Sequence, residues 1–154
     1  MKRKSLVLLL ASAVAGIAHA HTASAEVPEG VWLVDGEAAV QIFACNSLLC
    51  GRIRWLQAPR DSQGQLKRDT RNPDPALRQR DLCGLTIVRD LRSTGPNHWE
   101  DGWLYNPASG KTYSIKMELT SSGALVARLY LGTSLVGESK TLTRVVQGTS
   151  EGWC

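Results

Sequence analysis

TYSIKMELTSSGALVARLYL, residues 112–131, contains two runs in which apolar and polar residues alternate one by one. In the first run, residues 112–119, apolar side chains stand at every second position, and residues 125–131 repeat the pattern after Ser121-Ser122-Gly123. Successive side chains of a β-strand point to opposite faces of the sheet. A period of two on both sides of a short Gly-containing break therefore predicts an antiparallel β-hairpin with one buried face.

The same alternation recurs along the chain in short runs separated by Gly, Pro, Asn and Asp. These runs predict further strands over residues 38–45, 51–56, 85–89, 98–105 and 140–146. No long stretch has the periodicity of a helix. Seven or eight short strands with tight turns predict an all-β fold, a small antiparallel up-and-down β-barrel, because closure of the sheet removes its exposed edges.

One segment, residues 59–84, interrupts this pattern. It is polar, carries charges of both signs and three prolines, and is too long for an ordinary connection, so it is functional, partly ordered on the barrel surface, or mobile. Its residues Asp69, Asn72 and Asp74 could donate oxygens to Ca²⁺, but their spacing does not match an EF-hand loop. Turns stabilised by Asn and Asp side chains explain the same residues, so no metal site is predicted.

The chain begins with MKRKSLVLLLASAVAGIAHAHTASA, residues 1–25, which has the parts of a secretory signal peptide. A basic start precedes a short apolar run, and two A-x-A cleavage motifs follow. The apolar run is shorter than the roughly 20 residues that a membrane-spanning helix needs. We therefore expect cleavage after Ala25, or alternatively after Ala20, and a periplasmic or secreted bacterial protein whose domain comprises residues 26–154.

Removal of this peptide would leave a nearly neutral protein. Of the 18 Lys and Arg residues, Lys2, Arg3 and Lys4 lie within it, whereas none of the 14 Asp and Glu residues does, which leaves 15 cations against 14 anions. Nucleic acids and anionic membranes require a clustered basic surface, which this balance does not predict. We expect no nucleic-acid partner and no stable membrane insertion after signal cleavage.

The four cysteines, Cys45, Cys50, Cys83 and Cys154, all follow the signal peptide. An even number of cysteines in an exported protein indicates disulfides. The Cys-x4-Cys spacing of the first pair differs from the Cys-x2-Cys spacing of zinc and redox motifs. We predict a disulfide between Cys45 and Cys50 across a hairpin turn of residues 46–49 and, by elimination, one between Cys83 and Cys154, with the other pairings as alternatives.

The predicted turn between the first two cysteines contains two apolar residues, Leu48 and Leu49. Residues in turns are normally polar, so the presence of two apolar side chains in this turn requires an explanation. They either cap one end of the barrel or make the first contact with a partner.

Seven short motifs follow one another along the chain: Gly30-Val31-Trp32, Cys50-Gly51-Arg52-Ile53, Asp69-Thr70-Arg71-Asn72-Pro73-Asp74, Arg80-Asp81-Leu82-Cys83-Gly84-Leu85, Gly102-Trp103-Leu104-Tyr105-Asn106-Pro107, Gly110-Lys111-Thr112-Tyr113 and Thr143-Arg144. In this order and spacing, they resemble a bacterial family of exported proteins called DUF2147, a domain of unknown function. The resemblance covers nearly all of residues 26–154 and implies a lipocalin-like, or calycin-type, β-barrel with no established reaction. At Leu129, where the family has Gly before a Tyr, the larger side chain would narrow an interior cavity.

Aromatic residues are numerous for a domain of this size, with five Trp and three Tyr. They could line a ligand site, since their rings supply apolar contact and their N–H and O–H groups supply orientation. The alternative is that they fill the barrel and cap its ends. The candidate ligand-binding residues are Trp32, Trp55, Trp99, Trp103, Tyr105, Tyr113, Tyr130, Arg128 and Arg144.

No catalytic motif is present, and His98 has no evident partner, so neither an enzyme, catalytic residues nor a cofactor is predicted. The preferred hypothesis is an exported β-barrel that binds a small apolar or amphipathic ligand or a cell-envelope component. The alternative is a structural or interaction module whose 59–84 segment contacts an envelope protein. An enzyme that uses His98 as a general base is the third and weakest hypothesis.

Overall fold

The computed structural model describes residues 27–146 and Cys154. Within them, eight strands form one closed barrel, in which each strand pairs antiparallel with the next and β8 pairs with β1. The strands are β1 (Gly30–Val34), β2 (Ala38–Cys45), β3 (Leu48–Leu56), β4 (Thr86–Gly95), β5 (His98–Asn106), β6 (Lys111–Leu119), β7 (Leu125–Tyr130) and β8 (Gly137–Arg144). The predicted signal peptide lies outside the described residues.

The β6–β7 hairpin has the register that its alternating sequence predicts. Leu119 lies opposite Leu125 and Ile115 opposite Leu129, so the apolar side chains of both strands share the inner face. The prediction of an all-β, antiparallel up-and-down barrel is confirmed.

Strand β4 is longer than predicted, because it continues to Gly95 instead of ending at position 89. The alternation breaks inside the strand, where Ile87 and Val88 are both buried. Two residues later, Asp90 adopts a left-handed backbone conformation with φ 62°, and the next buried side chain is Leu91. An irregularity of this kind shifts the side-chain pattern by one position, so a strict period of two misses the second half of the strand.

One end of the barrel is filled by side chains. Trp32, Leu91 and Leu125 are fully buried there, and the indole N–H of Trp32 donates a 2.7 Å hydrogen bond to the carbonyl of Pro28. The guanidinium of Arg144 lies 4.3 Å from the centre of the Trp32 ring. We call this the closed end, and it is where the β2–β3, β4–β5 and β6–β7 turns lie.

The β2–β3 turn is shorter than the predicted four residues. It consists of Asn46 and Ser47 alone, and Asn46 has the φ of 58° that tight two-residue hairpins require. Leu48 and Leu49 are therefore the first residues of β3. Leu49 is buried in the core, so it belongs to the packing of the closed end.

The structure pairs Cys45 with Cys50, as predicted, but the two residues are not directly opposite each other. Cys45 faces Leu48 and Cys50 faces Phe43, so the disulfide runs diagonally between the strands. Its Cα–Cα distance of 5.8 Å lies within the usual range for a disulfide.

The second predicted disulfide, between Cys83 and Cys154, is also present. It fastens residue 154 beside β3, where the amide of Cys154 donates a 2.9 Å hydrogen bond to the carbonyl of Arg54. On the other side of the bond, the amide of Gly84 donates to the carbonyl of Ile53 at 2.9 Å.

The long segment between β3 and β4, residues 57–85, packs against the outside of the barrel through a buried carboxylate. Asp69 is fully buried, and its Oδ2 accepts hydrogen bonds of 2.9 and 2.8 Å from the Nε and Nη2 of Arg80. Its Oδ1 accepts a 2.5 Å hydrogen bond from the hydroxyl of Tyr105 on β5. Asn72 donates to both Asp69 and Tyr105, at 2.8 and 3.1 Å. The segment is therefore ordered on the barrel surface, one of the three expected outcomes.

Burial and the hydrogen bond to Asp69 raise the pKa of Tyr105 above its ordinary value. The phenol is therefore protonated and can act as the donor throughout the neutral range. The protonated Tyr105 therefore stabilises the folded state. Because its folded pKa is raised, this stabilisation is complete below a pH of about 10, the pKa of a free tyrosine, and is lost as the pH rises through the folded pKa.

Gly110, in the β5–β6 turn, allows the long segment to approach the barrel closely. It has φ +70°, and a Cβ built on it would lie 2.1 Å from the carbonyl oxygen of Arg71. We expect Gly110→Ala to lower the free energy of unfolding by about 2 kcal/mol, measured by urea denaturation.

Gly123 provides the matched control, since it has φ +81° but open space where a Cβ would stand. Gly123→Ala should cost only the backbone strain, about 1 kcal/mol. Equal losses in the two variants would show that the contact with Arg71 is not what requires the glycine.

Candidate ligand-binding site

The half of the barrel opposite the closed end encloses a cavity of about 410 Å³. Its walls are mostly aliphatic, with residues from every strand except β3. The cavity reaches the end of the barrel where the β1–β2, β5–β6 and β7–β8 turns lie, which we call the open end. The deeper wall includes Val40, Ile42, Val88, Ile115, Met117 and Leu142.

The inward positions of β7 determine how much of this half stays empty. Ala127 and Leu129 both line the cavity. Ala127 is small and lies opposite Lys140 of β8, which leaves room beside the lysine side chain. Leu129 is the residue expected to narrow the interior; it forms part of the wall of the 410 Å³ cavity.

Strand β8 changes from apolar to charged as it approaches the open end. Leu142, Lys140 and Glu138 occupy alternate positions, and all three line the cavity. The ammonium of Lys140 lies 2.7 Å from Oε1 of Glu138 and 3.0 Å from Oδ2 of Asp35, which follows β1. Hydrogen bonds to Glu138 and then to Asp35 raise the pKa of Lys140 above its ordinary value, so the side chain stays charged at neutral pH.

The loop between β7 and β8 forms an apolar rim at the open end. Leu131 and Val136 line the cavity and are also exposed to solvent. Arg128 holds the loop in place, since its Nε donates to the carbonyl of Ser134 at 2.6 Å and its Nη2 to the carbonyl of Leu135 at 3.2 Å. Arg128 thus contacts the loop backbone.

Of the nine candidate ligand-binding residues, Tyr113 and Tyr130 line the cavity. Trp32 and Trp99 belong to the buried core, and Arg144 stacks on Trp32 and donates hydrogen bonds to carbonyls that precede β1. These three residues lie at the closed end.

The remaining aromatic candidates lie outside the lining of the cavity. Trp103 donates a 2.7 Å hydrogen bond from its indole N–H to Asp90. Tyr105 faces the long segment and bonds to Asp69. Trp55 is half-buried on β3, opposite Ala39.

Sequence reasoning missed Glu138 and Lys140 as lining residues. The signal was available, because both stand an even number of positions before Leu142, an apolar residue of the same predicted strand. Charged residues are seldom expected on the inner face of a small barrel, and the predicted strand began only at position 140, so Glu138 lay outside it.

No group of three or more His, Cys, Asp and Glu side chains in residues 27–146 and 154 is arranged to hold a metal ion. The oxygens of Asp69 are occupied by Arg80, Asn72 and Tyr105, and Asp74 accepts a 2.9 Å hydrogen bond from the amide of Ala76 in a short 3-10 helix, Pro75–Leu77. These contacts explain the residues without calcium.

His98, the candidate general base, stands at the closed end at the start of β5. Its Nδ1 lies 2.7 Å from the carbonyl of Pro96 and its Nε2 lies 3.9 Å from Glu118. It does not line the cavity. Across the described part of the chain, no helix has the length and apolar character needed to cross a membrane.

Comparisons with known proteins agree with this architecture. A search of curated proteins found no significant match. Among solved structures, the chain is similar to protein HP1028 from the human pathogen Helicobacter pylori, described as belonging to the lipocalin family. The identity is 25%, the match covers 77% of this chain and 83% of that chain, and the TM-score is 0.67. The model of a family described as uncharacterized proteins conserved in bacteria, DUF2147, matches residues 30–144, so the chain belongs to the DUF2147 family and has a lipocalin-like barrel.

Proposed function

We propose that this protein is an exported β-barrel that binds one small apolar or amphipathic molecule, such as a metabolite or a cell-envelope component, in its cavity. The observation that carries this proposal is the unequal filling of the barrel. Side chains fill the closed end, whereas the other half keeps about 410 Å³ behind an accessible opening. Ligand sites commonly have volumes of roughly 300–1,000 Å³, and an eight-stranded barrel can hold one small ligand.

The lining supports an amphipathic molecule. Aliphatic side chains surround the deeper part, while Asn106, Tyr113, Tyr130, Glu138 and Lys140 contribute to the wall. The proposed site thus retains two of the aromatic candidates and adds the charged pair on β8. An apolar body would lie inside the barrel, and its polar group would lie at the open end.

Export is the other part of the proposal. It is supported by the signal-like sequence of residues 1–25 and by the two disulfides, which persist in oxidising compartments such as the bacterial periplasm.

Filling the cavity tests the proposal. In Ala127→Phe, a large side chain would project into the space beside Lys140, so we expect the protein to fold and to lose ligand binding. Native mass spectrometry of protein purified from the periplasm should show a bound small molecule in the wild type and none in the variant. The neutral dye N-phenylnaphthylamine should bind the wild type but not Ala127→Phe.

Val126→Phe is the matched control. Val126 is the neighbouring residue on β7, pairs with Thr141 and does not line the cavity, so this variant should bind as the wild type does. Circular dichroism and thermal unfolding establish that both variants are folded. If Ala127→Phe binds as well as Val126→Phe, or if the wild type carries no molecule and binds no dye, the cavity is not a ligand site.

A further inference from the structure

A cluster of three charged side chains lies at the open end of the cavity. Two carboxylates, Asp35 and Glu138, converge on the single ammonium of Lys140. Glu138 and Lys140 line the cavity, and Asp35 reaches it through its contact with Lys140. Two other cations of this end, Lys111 and Arg128, do not line the cavity, and Arg128 donates its hydrogen bonds to Ser134, Leu135 and Ser139. The three interacting groups therefore have a net charge of −1 in the place where the polar part of an amphipathic ligand would lie.

Lys140 is poorly placed to bind a ligand carboxylate. Two of its three N–H donors are already directed to Asp35 and Glu138, and only 34% of its side chain is exposed. A third carboxylate close to this lysine would also be close to the other two. Like charges at such distances repel, and low ionic strength preserves this repulsion at a solvent-exposed site.

A cationic group of a ligand would be attracted by the same carboxylates that repel an anionic group. The side chain of Glu138 is 68% exposed, and its contact with Lys140 involves Oε1. In the described part of the chain, Glu138 has no second side-chain partner, so Oε2 is open to a ligand. Tyr113 lines the cavity near the open end of β6, and the face of an aromatic ring attracts cations.

We propose that the ligand is an amphiphile with a protonated amine. Its apolar chain or ring would occupy the aliphatic part of the barrel, and its ammonium group would lie beside Glu138 and Tyr113. This inference rests on the proposed binding function and adds the chemical class of the ligand. It also predicts that the site discriminates against fatty acids and other amphipathic carboxylates.

Three probes that share one alkyl chain test the inference. Decylamine, decanol and decanoate, each below its micelle concentration at pH 7 and low salt, are titrated into the disulfide-intact protein, with the displacement of N-phenylnaphthylamine as the readout. Decylamine should bind about tenfold or more tightly than decanoate, with decanol between them, and this ratio should shrink at high salt.

Glu138→Gln should reduce the preference for the amine to about twofold, because it removes one of the two anions. Glu118→Gln is the matched control, since Glu118 is similarly exposed, 56%, but lies on β6 at the closed end and does not line the cavity. This control should keep the preference of the wild type.

Each other outcome has a definite meaning. Decanoate binding as tightly as decylamine would overturn the inference, while the proposed binding function would stand. A preference for the amine that survives Glu138→Gln would also overturn it, because the charge invoked here would have no role. If neither the dye nor any of the three probes binds, the binding function itself is wrong, and the inference fails with it.

Discussion

Removal of the disulfide between Cys83 and Cys154 is expected to lower the free energy of unfolding by about 4 kcal/mol. The bond joins residues separated by 71 positions, so its loss releases a long loop in the unfolded chain. The double variant Cys83→Ala/Cys154→Ala removes it without leaving a free thiol. Urea denaturation of the oxidised proteins measures the difference.

The second disulfide is the natural control. Cys45 and Cys50 are only five positions apart, so Cys45→Ala/Cys50→Ala should cost about 2 kcal/mol in the same model of chain entropy. A loss for the long-range pair that is no larger than the loss for the hairpin pair would contradict the argument. It would mean that the connection of residue 154 to β3 contributes little to the folded state.

Replacement of Asp69 by Asn is expected to destabilise the protein by about 3 kcal/mol. The carboxylate is fully buried and accepts hydrogen bonds from Arg80, Asn72 and Tyr105. An amide has one oxygen instead of two, and its NH₂ group would face another donor. The guanidinium of Arg80 would lose its counter-charge, although its side chain is 36% exposed and regains some hydration, which limits the loss.

The same substitution should also release the long segment from the barrel. Limited proteolysis with trypsin should cleave after Arg71, Arg78 or Arg80 faster in Asp69→Asn than in the wild type. Local opening of the segment costs less free energy than global unfolding. The rate of cleavage should therefore rise under conditions in which the rest of the protein stays folded.

Asp81→Asn is the control for both measurements. Asp81 belongs to the same segment and faces an arginine, Arg68, but at 3.9 Å and with 48% of its side chain exposed. Exposed pairs of this kind contribute about 0–1 kcal/mol, so neither stability nor cleavage should change much. Similar effects of the two substitutions would show that the buried network does not fasten the segment.

Much of the barrel could be predicted from the sequence, because the burial of alternate residues is a local property. The hairpin of β6 and β7 has the predicted register, and the four cysteines pair as predicted. The errors occurred where one residue changed the pattern. Asp90 interrupts the alternation within β4, and Asn46 closes in two residues a turn that was expected to need four.

The candidate site was much less accessible to sequence reasoning. The sequence pattern around an inward Trp or Tyr does not tell whether the side chain packs against others or borders an empty space. Trp32 is an example of the first case and Tyr113 of the second. The residues around Tyr105 do not indicate its hydrogen-bond partner, Asp69, which is 36 positions earlier in the chain. Asp69 reaches Tyr105 only because the long segment folds back onto the barrel.

The sequence by itself determined the strands, the inner and outer faces of most of them, and the presence of two disulfides, because each depends on residue spacing or on the type of residue. The tertiary structure alone decided that one half of the barrel is filled and the other encloses about 410 Å³. It also brought Asp35, Glu138 and Lys140 together at the open end. The reason is physical: a cavity is the difference between the width of a closed barrel and the summed volume of side chains from many strands. An ion-pair cluster likewise depends on the closure of the sheet between its first and last strands.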